Sequence, residues 1–307
     1  MKIVVTGGAG FIGSHVVDAY INQGYDVIVI DNLKTGTRKN INSKARFYMR
    51  DIKDAEGVLE IFEKEKPDVV NHHAAQMNVR RSIEDPKEDA ETNIIGLINV
   101  LNAAVKTKVK RIIFISSGGA IYGQTTSIPT KETTMPQPLS PYGLSKYVGE
   151  QYLQLYHSLY QIPYVILRYA NVYGQRQNPE GEAGVIAIFI NKIIKNQEPI
   201  IFGDGEQTRD YMHVKDVVEA NVLALSKGTN NTVNIGTGVQ TSVNKLFSTM
   251  KKEINFPKSP IYQKEITGEV RHGALDSNKA KEILYWTPKI KIEQGIKETI
   301  KAMRENI

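Results

Sequence analysis

Cysteine is absent from all 307 residues. That excludes a disulfide scaffold, a thiolate metal site and a cysteine nucleophile, and it fits a reducing compartment, so a cytoplasmic location is expected. Long hydrophobic runs are missing too. Apolar stretches such as residues 112–115 and 185–190 fall far short of the ~20 residues that a membrane span needs. The N-terminal Met1-Lys2-Ile3-Val4-Val5-Thr6 is cut by Gly7-Gly8 before it can serve as a signal sequence, and no membrane association is expected. There is no internal repeat and no low-complexity tract. His15, His157, His213 and His272 lack metal-ligand spacing, and His72 and His73 follow an expected strand, where packing is the better reading. No metal is expected.

What is present is a globular balance of 41% hydrophobic and 23% charged residues, which excludes disorder, a collagen-like repeat and a long coiled coil. The 39 Lys and Arg against 33 Asp and Glu leave a net charge of +6, of which +4 lies from Lys251 onward, where 12 basic residues face 8 acidic ones. The densest basic run, Lys106, Lys108, Lys110 and Arg111, has no interleaved aromatic, so no nucleic-acid partner is expected. A polyanionic small substrate remains compatible with this charge.

Short apolar runs at 2–6, 26–30, 46–49, 68–71, 111–116 and 164–169 alternate with helix-like stretches near 12–23, 55–64, 87–106 and 141–161. This alternation predicts an α/β fold with a Rossmann-like, doubly wound parallel sheet. Runs that are apolar almost throughout, such as Ile112-Ile113-Phe114-Ile115, suit strands covered on both faces. Beyond Ala170 the pattern loosens around Gly174, Pro179, Gly181, Gly203 and Gly205. The expectation is a dinucleotide domain over 1–169 with a return segment at 232–254, and a smaller α/β substrate-binding domain over 170–307.

Gly7, Gly10 and Gly13 lie between the first strand and the first helix. There glycine permits a tight turn and lets the backbone approach a pyrophosphate at the helix N-terminus. The second strand ends in Asp31, 18 residues after Gly13, where a carboxylate accepts hydrogen bonds from an adenosine ribose and repels a 2′-phosphate. NAD is thereby favoured over NADP, with Lys34 and Arg38 close enough to keep the choice open. Ser140-Pro141 suits a helix start, which places Tyr142 and Lys146 at i and i+4 on one face. An ammonium there favours an ionised phenol.

Thr6-Gly7-Gly8-Ala9-Gly10-Phe11-Ile12-Gly13, Asp31-Asn32-Leu33, Ser116-Ser117-Gly118-Gly119-Ala120-Ile121-Tyr122-Gly123, Tyr142-x-x-x-Lys146, Arg168-Tyr169-Ala170-Asn171-Val172-Tyr173-Gly174 and Arg209-Asp210-Tyr211-Met212-His213-Val214 together resemble the extended short-chain dehydrogenase/reductase family. Within it the chain is most similar, nearly end to end, to the bacterial and archaeal UDP-glucose 4-epimerases. The resemblance implies bound NAD, in a pocket formed by Gly7, Gly10, Phe11, Ile12, Gly13, Asp31, Asn32, Asp51, Ile52, Ala74, Asn93, Tyr142 and Lys146. It implies inversion of a UDP-hexose at C4 through a transient ketone, with Tyr142 as base, Lys146 holding the cofactor ribose, and Ser117 bonding the C4 oxygen. It further implies a homodimer paired through helices 87–106 and 141–161.

Three departures from the family pattern matter. Many relatives place the active-site hydroxyl where this chain has Gly118, which leaves Ser117, with a water, Thr125 or Thr126 as alternatives. Gly118, Gly119 and Ala120 supply no acid for dehydration. Ile266 stands where relatives often carry a phosphate-binding arginine. On the substrate side the resemblance points to Asn171 and Arg209 at the phosphates and Arg271 in place of the missing charge. Phe202 lies against uracil or in the core, and Gly273 leaves room at the sugar's C2 substituent, so N-acetylated UDP-hexosamines fit as well. Two other readings stay open: a related nucleotide-sugar enzyme (a UDP-uronate 4-epimerase or a 4-keto reductase) and a non-catalytic NAD-binding regulator.

Overall fold

The computed structural model describes residues 1–180, 184–265 and 270–305. The chain opens with β1 (Lys2–Thr6), α1 (Phe11–Asn22), β2 (Asp26–Asp31), β3 (Arg46–Met49), α2 (Ala55–Glu65) and β4 (Val69–His72). After α3 (Val79–Glu84) and α4 (Pro86–Ala90), a π-helical turn over Glu91–Ile95 leads into α5 (Gly96–Lys106), so the expected helix at 87–106 is continuous but carries a π-helical turn in its first half. Next come β5 (Arg111–Ser117), the short α6 (Gly118–Ile121), α7 (Pro141–Tyr160) and β6 (Tyr164–Tyr169). The remainder comprises β7 (Asn171–Tyr173), α8 (Val185–Ile194), β8 (Ile200–Phe202), β9 (Thr208–Arg209), β10 (Tyr211–His213), α9 (Val214–Ala224) and β11 (Asn231–Ile235). It ends with β12 (Thr241–Ser242), α10 (Val243–Ile254), β13 (Ile261–Gln263), α11 (Asn278–Ile283) and α12 (Ile292–Arg304).

Seven strands form one sheet in the order β11-β6-β5-β4-β1-β2-β3, and every pair is parallel. This is the doubly wound arrangement expected from the sequence. Alternate strand residues feed two cores. Ile3, Val5, Ile113 and Ile115 pack with α1, α9 and α11 on one face, while Val4, Ile112 and Phe114 pack with α2, α5 and α7 on the other. Both faces are covered, so the strands read as unbroken apolar runs.

A third core gathers Ile186, Phe189 and Ile190 of α8, Leu246, Phe247 and Met250 of α10, and Ile296 and Ile300 of α12. Three two-stranded sheets accompany it: β7 with β10, β8 with β13, and β9 with β12. Of the segment at 232–254, β11 lies in the large sheet, whereas α10 packs in this third core because its apolar stripe faces α8 and α12. Conversely, α9 lies against the large sheet, where Val217, Ala220 and Ala224 meet the same core as α1. Among the described residues, no helix is long and apolar enough to cross a membrane, and no cluster of three or more His, Asp or Glu side chains could hold a metal ion.

Candidate active site

The glycine turn after β1 is tight enough to exclude side chains. Gly7 has φ +70°, and a Cβ there would lie 2.6 Å from Ala74 N, while one on Gly13 would lie 2.3 Å from Gly7 O. Gly10 caps α1 without a side-chain bond, which leaves the first N–H groups of α1, from Phe11 and Ile12, open at the positive end of the helix. Such a cradle fits a pyrophosphate. At its flank, Asp31 accepts from Ala9 N at 3.0 Å and from Leu33 N at 2.8 Å. Burial pushes its carboxyl up, and these two bonds oppose the shift. Asn32 Nδ2 donates to Asp51 at 2.9 Å, and Ile52 is buried against Gly96.

The two cations that kept the cofactor choice open are engaged elsewhere. Lys34 pairs with Glu88, which also holds Arg81 at 2.6 Å. Arg38 lies 5.4 Å over the Phe47 ring.

α7 starts as the sequence predicts, with Gly143 N donating to Ser140 Oγ at 3.1 Å and Pro141 in the first turn. Tyr142 lies near Ser117 at the end of β5, close enough for the serine to pull the phenol down. Lys146, one turn on, is 5% exposed; its Nζ donates to Ile115 O at 3.0 Å and lies 5.3 Å over the Phe114 ring. Burial brings the Lys146 ammonium down to about 8, with Asp89 and Glu150 opposing. Burial pushes the Tyr142 phenol up to about 12, with the neighbouring Ser117 opposing. The ionised phenol expected beside an ammonium is therefore outweighed by desolvation of the phenolate. His72 and His73 are lowered to about 3 by burial and by Lys146. His72 bonds Thr6 Oγ1 at 3.0 Å and stacks on Phe114, a packing role.

Asn93 sits in the π-helical turn. Its Nδ2 lies 2.9 Å from Gln76 O and 3.1 Å from both Asp89 Oδ1 and Ser145 Oγ, and its Oδ1 accepts from Gln76 N at 2.8 Å. Ser145 Oγ donates to Tyr142 O at 3.0 Å, so Asn93 steadies the first turn of α7. A Cβ on Gly118 would lie 2.5 Å from Leu275 Cδ1, so Leu275 fills the space that a side chain at 118 would take. Thr125 lines the same cleft and accepts from Ser127 N at 3.2 Å, while Thr126 is exposed.

Asn171, Arg209, Gly273 and Leu275 line the cleft opposite. Arg209 Nη1 donates to Thr208 O at 2.9 Å, and among the described residues no carboxylate pairs with it. The Arg271 carbonyl lies 3.5 Å from Arg209 Nη1, but the Arg271 guanidinium is held at 2.6 Å by Asp204. Arg271→Ala is expected to raise KM for a UDP-sugar several-fold in steady-state assays; an unchanged KM would show that Arg271 serves only Asp204. Phe202 is 38% exposed on β8, which argues against a core position. A Cβ on Gly273 would meet nothing within 4 Å. Ile266 lies outside the described residues.

Among the buried carboxylates that sequence reasoning missed are Glu150 and Asp210. Glu150 repeats the i+4 step beyond Lys146, a signal visible in Tyr142-x-x-x-Lys146-x-x-x-Glu150. Asp210 follows Arg209, and four donors surround it, which no local pattern reveals.

Comparison with known proteins agrees with this geometry. Residues 3–236 match the NAD dependent epimerase/dehydratase family. A putative UDP-glucose 4-epimerase of Methanocaldococcus jannaschii is 54% identical over 99% of both chains. The crystal structure of a Thermotoga maritima UDP-glucose 4-epimerase with UDP-glucose superposes with a TM-score of 0.99 at 50% identity, covering 100% of this chain and 99% of that one. A UDP-N-acetylglucosamine 4-epimerase of Methanobrevibacter ruminantium in complex with UDP-N-acetylmuramic acid gives 0.94 at 34% identity, with coverage of 100% and 99%. With a glycine cradle at the head of a doubly wound sheet and Tyr142 one helical turn from the buried Lys146, the chain belongs to the NAD-dependent epimerase/dehydratase family of extended short-chain dehydrogenases/reductases.

Proposed function

We propose that this protein inverts C4 of a UDP-hexose, interconverting UDP-glucose and UDP-galactose on NAD that stays bound through turnover. The observation that carries this reading is the buried Lys146 one turn from Tyr142 on α7, with Ser117 beside the phenol at the end of β5 and no acid in Gly118-Gly119-Ala120. A C4 bearing a hydroxyl holds no acidic hydrogen, so inversion requires oxidation to the ketone and reduction on the other face. Bound NAD supplies the acceptor, and then the donor, of the C4 hydride. Tyr142 as phenolate takes the hydroxyl proton and later returns it. Ser117 bonds the C4 oxygen, and Lys146 holds the cofactor ribose. Gly7, Gly10, Phe11, Ile12 and Gly13 carry the pyrophosphate, Asp31 and Asn32 the adenosine ribose, and Asp51, Ile52 and Ala74 the pocket wall. Asn171, Arg209 and Arg271 meet the diphosphate, and Phe202 lies against uracil.

The UDP-sugar lies between a dinucleotide domain (1–169 with β11) and a substrate-binding domain drawn from 170–307. Such an enzyme serves galactose metabolism in the cytoplasm. On α7, Leu144, Leu155 and Leu159 expose one apolar stripe, next to the exposed Ile95, which supports a homodimer through these helices; sedimentation at micromolar concentration tests it.

The function is tested by incubating purified protein with UDP- and dTDP-sugars without added cofactor. Conversion of UDP-glucose to UDP-galactose with co-purifying NAD is expected. Turnover that demands added NADPH indicates a 4-keto reductase, and NAD binding without conversion indicates a regulator. The open space at Gly273 predicts that UDP-GlcNAc and UDP-GalNAc are also interconverted; failure under conditions that turn over UDP-glucose would refute this.

A further inference from the structure

Directly behind the acid–base centre lies a buried ionic cluster to which the reaction above assigns no task. Glu150 is fully buried and Arg168 is 6% exposed. Arg168 grips the carboxylate with two prongs, Nε to Oε1 at 2.8 Å and Nη2 to Oε2 at 2.5 Å. Ser116 Oγ donates to the same Oε1 at 2.5 Å. The third guanidinium nitrogen, Nη1, donates to the Tyr122 hydroxyl at 2.7 Å, and that hydroxyl donates to Asn234 Oδ1 at 2.9 Å. Each guanidinium nitrogen and each carboxylate oxygen of the pair thus has a partner inside the protein.

A buried ion pair is a weak source of stability, because desolvating both charges offsets most of their attraction, and apolar residues of similar volume often serve as well. What a two-pronged Arg–carboxylate contact does supply is direction. Here the directions converge on the reacting groups. Glu150 lies one turn beyond Lys146 and two beyond Tyr142, on the same face of α7. Ser116 immediately precedes Ser117, and Ser116 and Arg168 are register partners across β5 and β6. One carboxylate therefore ties the rotation and depth of α7 to the ends of the two strands on which it rests, within a residue of the active-site serine.

We propose that Glu150 and Arg168 are positioning residues for the epimerase chemistry: their buried pair holds α7 against β5 so that Ser117 meets Tyr142 and Lys146 in the reactive arrangement. The proposal rests on the roles assigned above to those three residues. Neither Glu150 nor Arg168 touches the substrate; both act through Ser116 and the helix. Because Glu150 also supports the Lys146 ammonium, the variants are compared at about pH 6.5 to 7, roughly a unit or more below about 8, where that ammonium persists.

The test replaces the pair by an apolar one of similar volume, Glu150→Met with Arg168→Met, so that no charge is stranded. Asp89, His72 and His73, the other titratable groups around Tyr142 and Lys146, stay in place. In the NAD-bound enzyme the double variant is expected to fold, retain cofactor and keep its KM for UDP-glucose. Its kcat should fall by about a hundredfold, the cost of misplacing a reacting group by roughly 1 Å. A folded double variant with parental kcat would overturn the proposal and leave the pair a packing element. Should the double variant not fold, Ser116→Ala removes one hydroxyl and decides in the same way, with a fall in kcat expected at constant KM and an unchanged kcat overturning the claim.

A second readout needs no substrate. The phenolate absorbance of Tyr142, taken as the difference from Tyr142→Phe, should titrate at higher pH in the variants, because Ser117, which pulls the phenol down, is no longer held beside it. An unmoved titration overturns positioning. A parent enzyme that converts no UDP-hexose would instead overturn the functional reading alone.

Discussion

Tyr142→Phe should lower the epimerisation rate by about a thousandfold, in the middle of the range for losing a positioned acid–base group, while the protein stays folded and keeps its NAD. The change removes one oxygen, which lies near Ser117, and leaves the ring, the helix cap and Lys146 untouched. Assaying UDP-glucose conversion beside the bound-cofactor content separates loss of chemistry from loss of binding. Retention of more than a tenth of the activity would move the base to another group.

The electrostatics explain why the phenol needs help. With Tyr142 near 12 and Lys146 near 8, the protein groups by themselves hold a neutral phenol beside an ammonium at neutral pH, whereas proton abstraction requires the phenolate. The positive charge of the oxidised cofactor acts in the needed direction on Tyr142. The sign for Lys146 is opposite: its ammonium is present below its pKa and is lost as pH rises through it. The rate should therefore decline above about pH 8 as Lys146 gives up its proton, and that alkaline limb should vanish from the residual activity of a Lys146→Met variant.

The parts legible in the sequence are those in which chain spacing converts directly into spatial spacing. Strands of the large sheet carry apolar residues to both faces, so residues such as 112–115 announce themselves. Tyr142 and Lys146 share a helix face because 3.6 residues make a turn, and Gly7, Gly10 and Gly13 mark a backbone that must pass close to itself. Glu150 obeys the same helical spacing, but its meaning depends on Arg168, 18 residues away on a neighbouring strand, and only the packing of α7 on β5 and β6 reveals the pair. The π-helical turn at Glu91–Ile95 leaves no compositional mark inside a good helical pattern. Leu275 filling the space over Gly118 depends on how a distant segment returns over the cleft, so the sequence could show that the hydroxyl was missing at 118 without showing what fills its place.

Asp210→Ala should cost about 4 kcal/mol of stability, because it orphans several donors that the wild-type carboxylate satisfies, each worth roughly 1–3 kcal/mol when left unpaired. Asp210 is 2% exposed and accepts from Thr237 N and Gly238 N at 3.0 Å, Thr237 Oγ1 at 2.5 Å and Leu275 N at 3.2 Å. A Cβ on Gly236 would lie 2.5 Å from its Oδ2, so the turn after β11 is pressed against the carboxylate. Three pieces of chain meet there: the junction of β9 and β10 beside Arg209, the turn at 236–238, and the segment carrying Gly273 and Leu275 over the cleft. Truncation should lower the melting temperature by about 10 °C, given 2–4 °C per kcal/mol for chains of this order of size. It should also raise KM for the UDP-sugar, since both Arg209 and the segment at 273–275 lose a common anchor. Asp210→Asn tests the cause. With its oxygen in place of Oδ2 it can still accept from Thr237 N, Gly238 N and Leu275 N, while its amide donates to Thr237 Oγ1, so it should lose only the charge assistance and melt well above the alanine variant. Equal melting of the two variants would mean that the charge, rather than the pattern of donors, holds the three segments together.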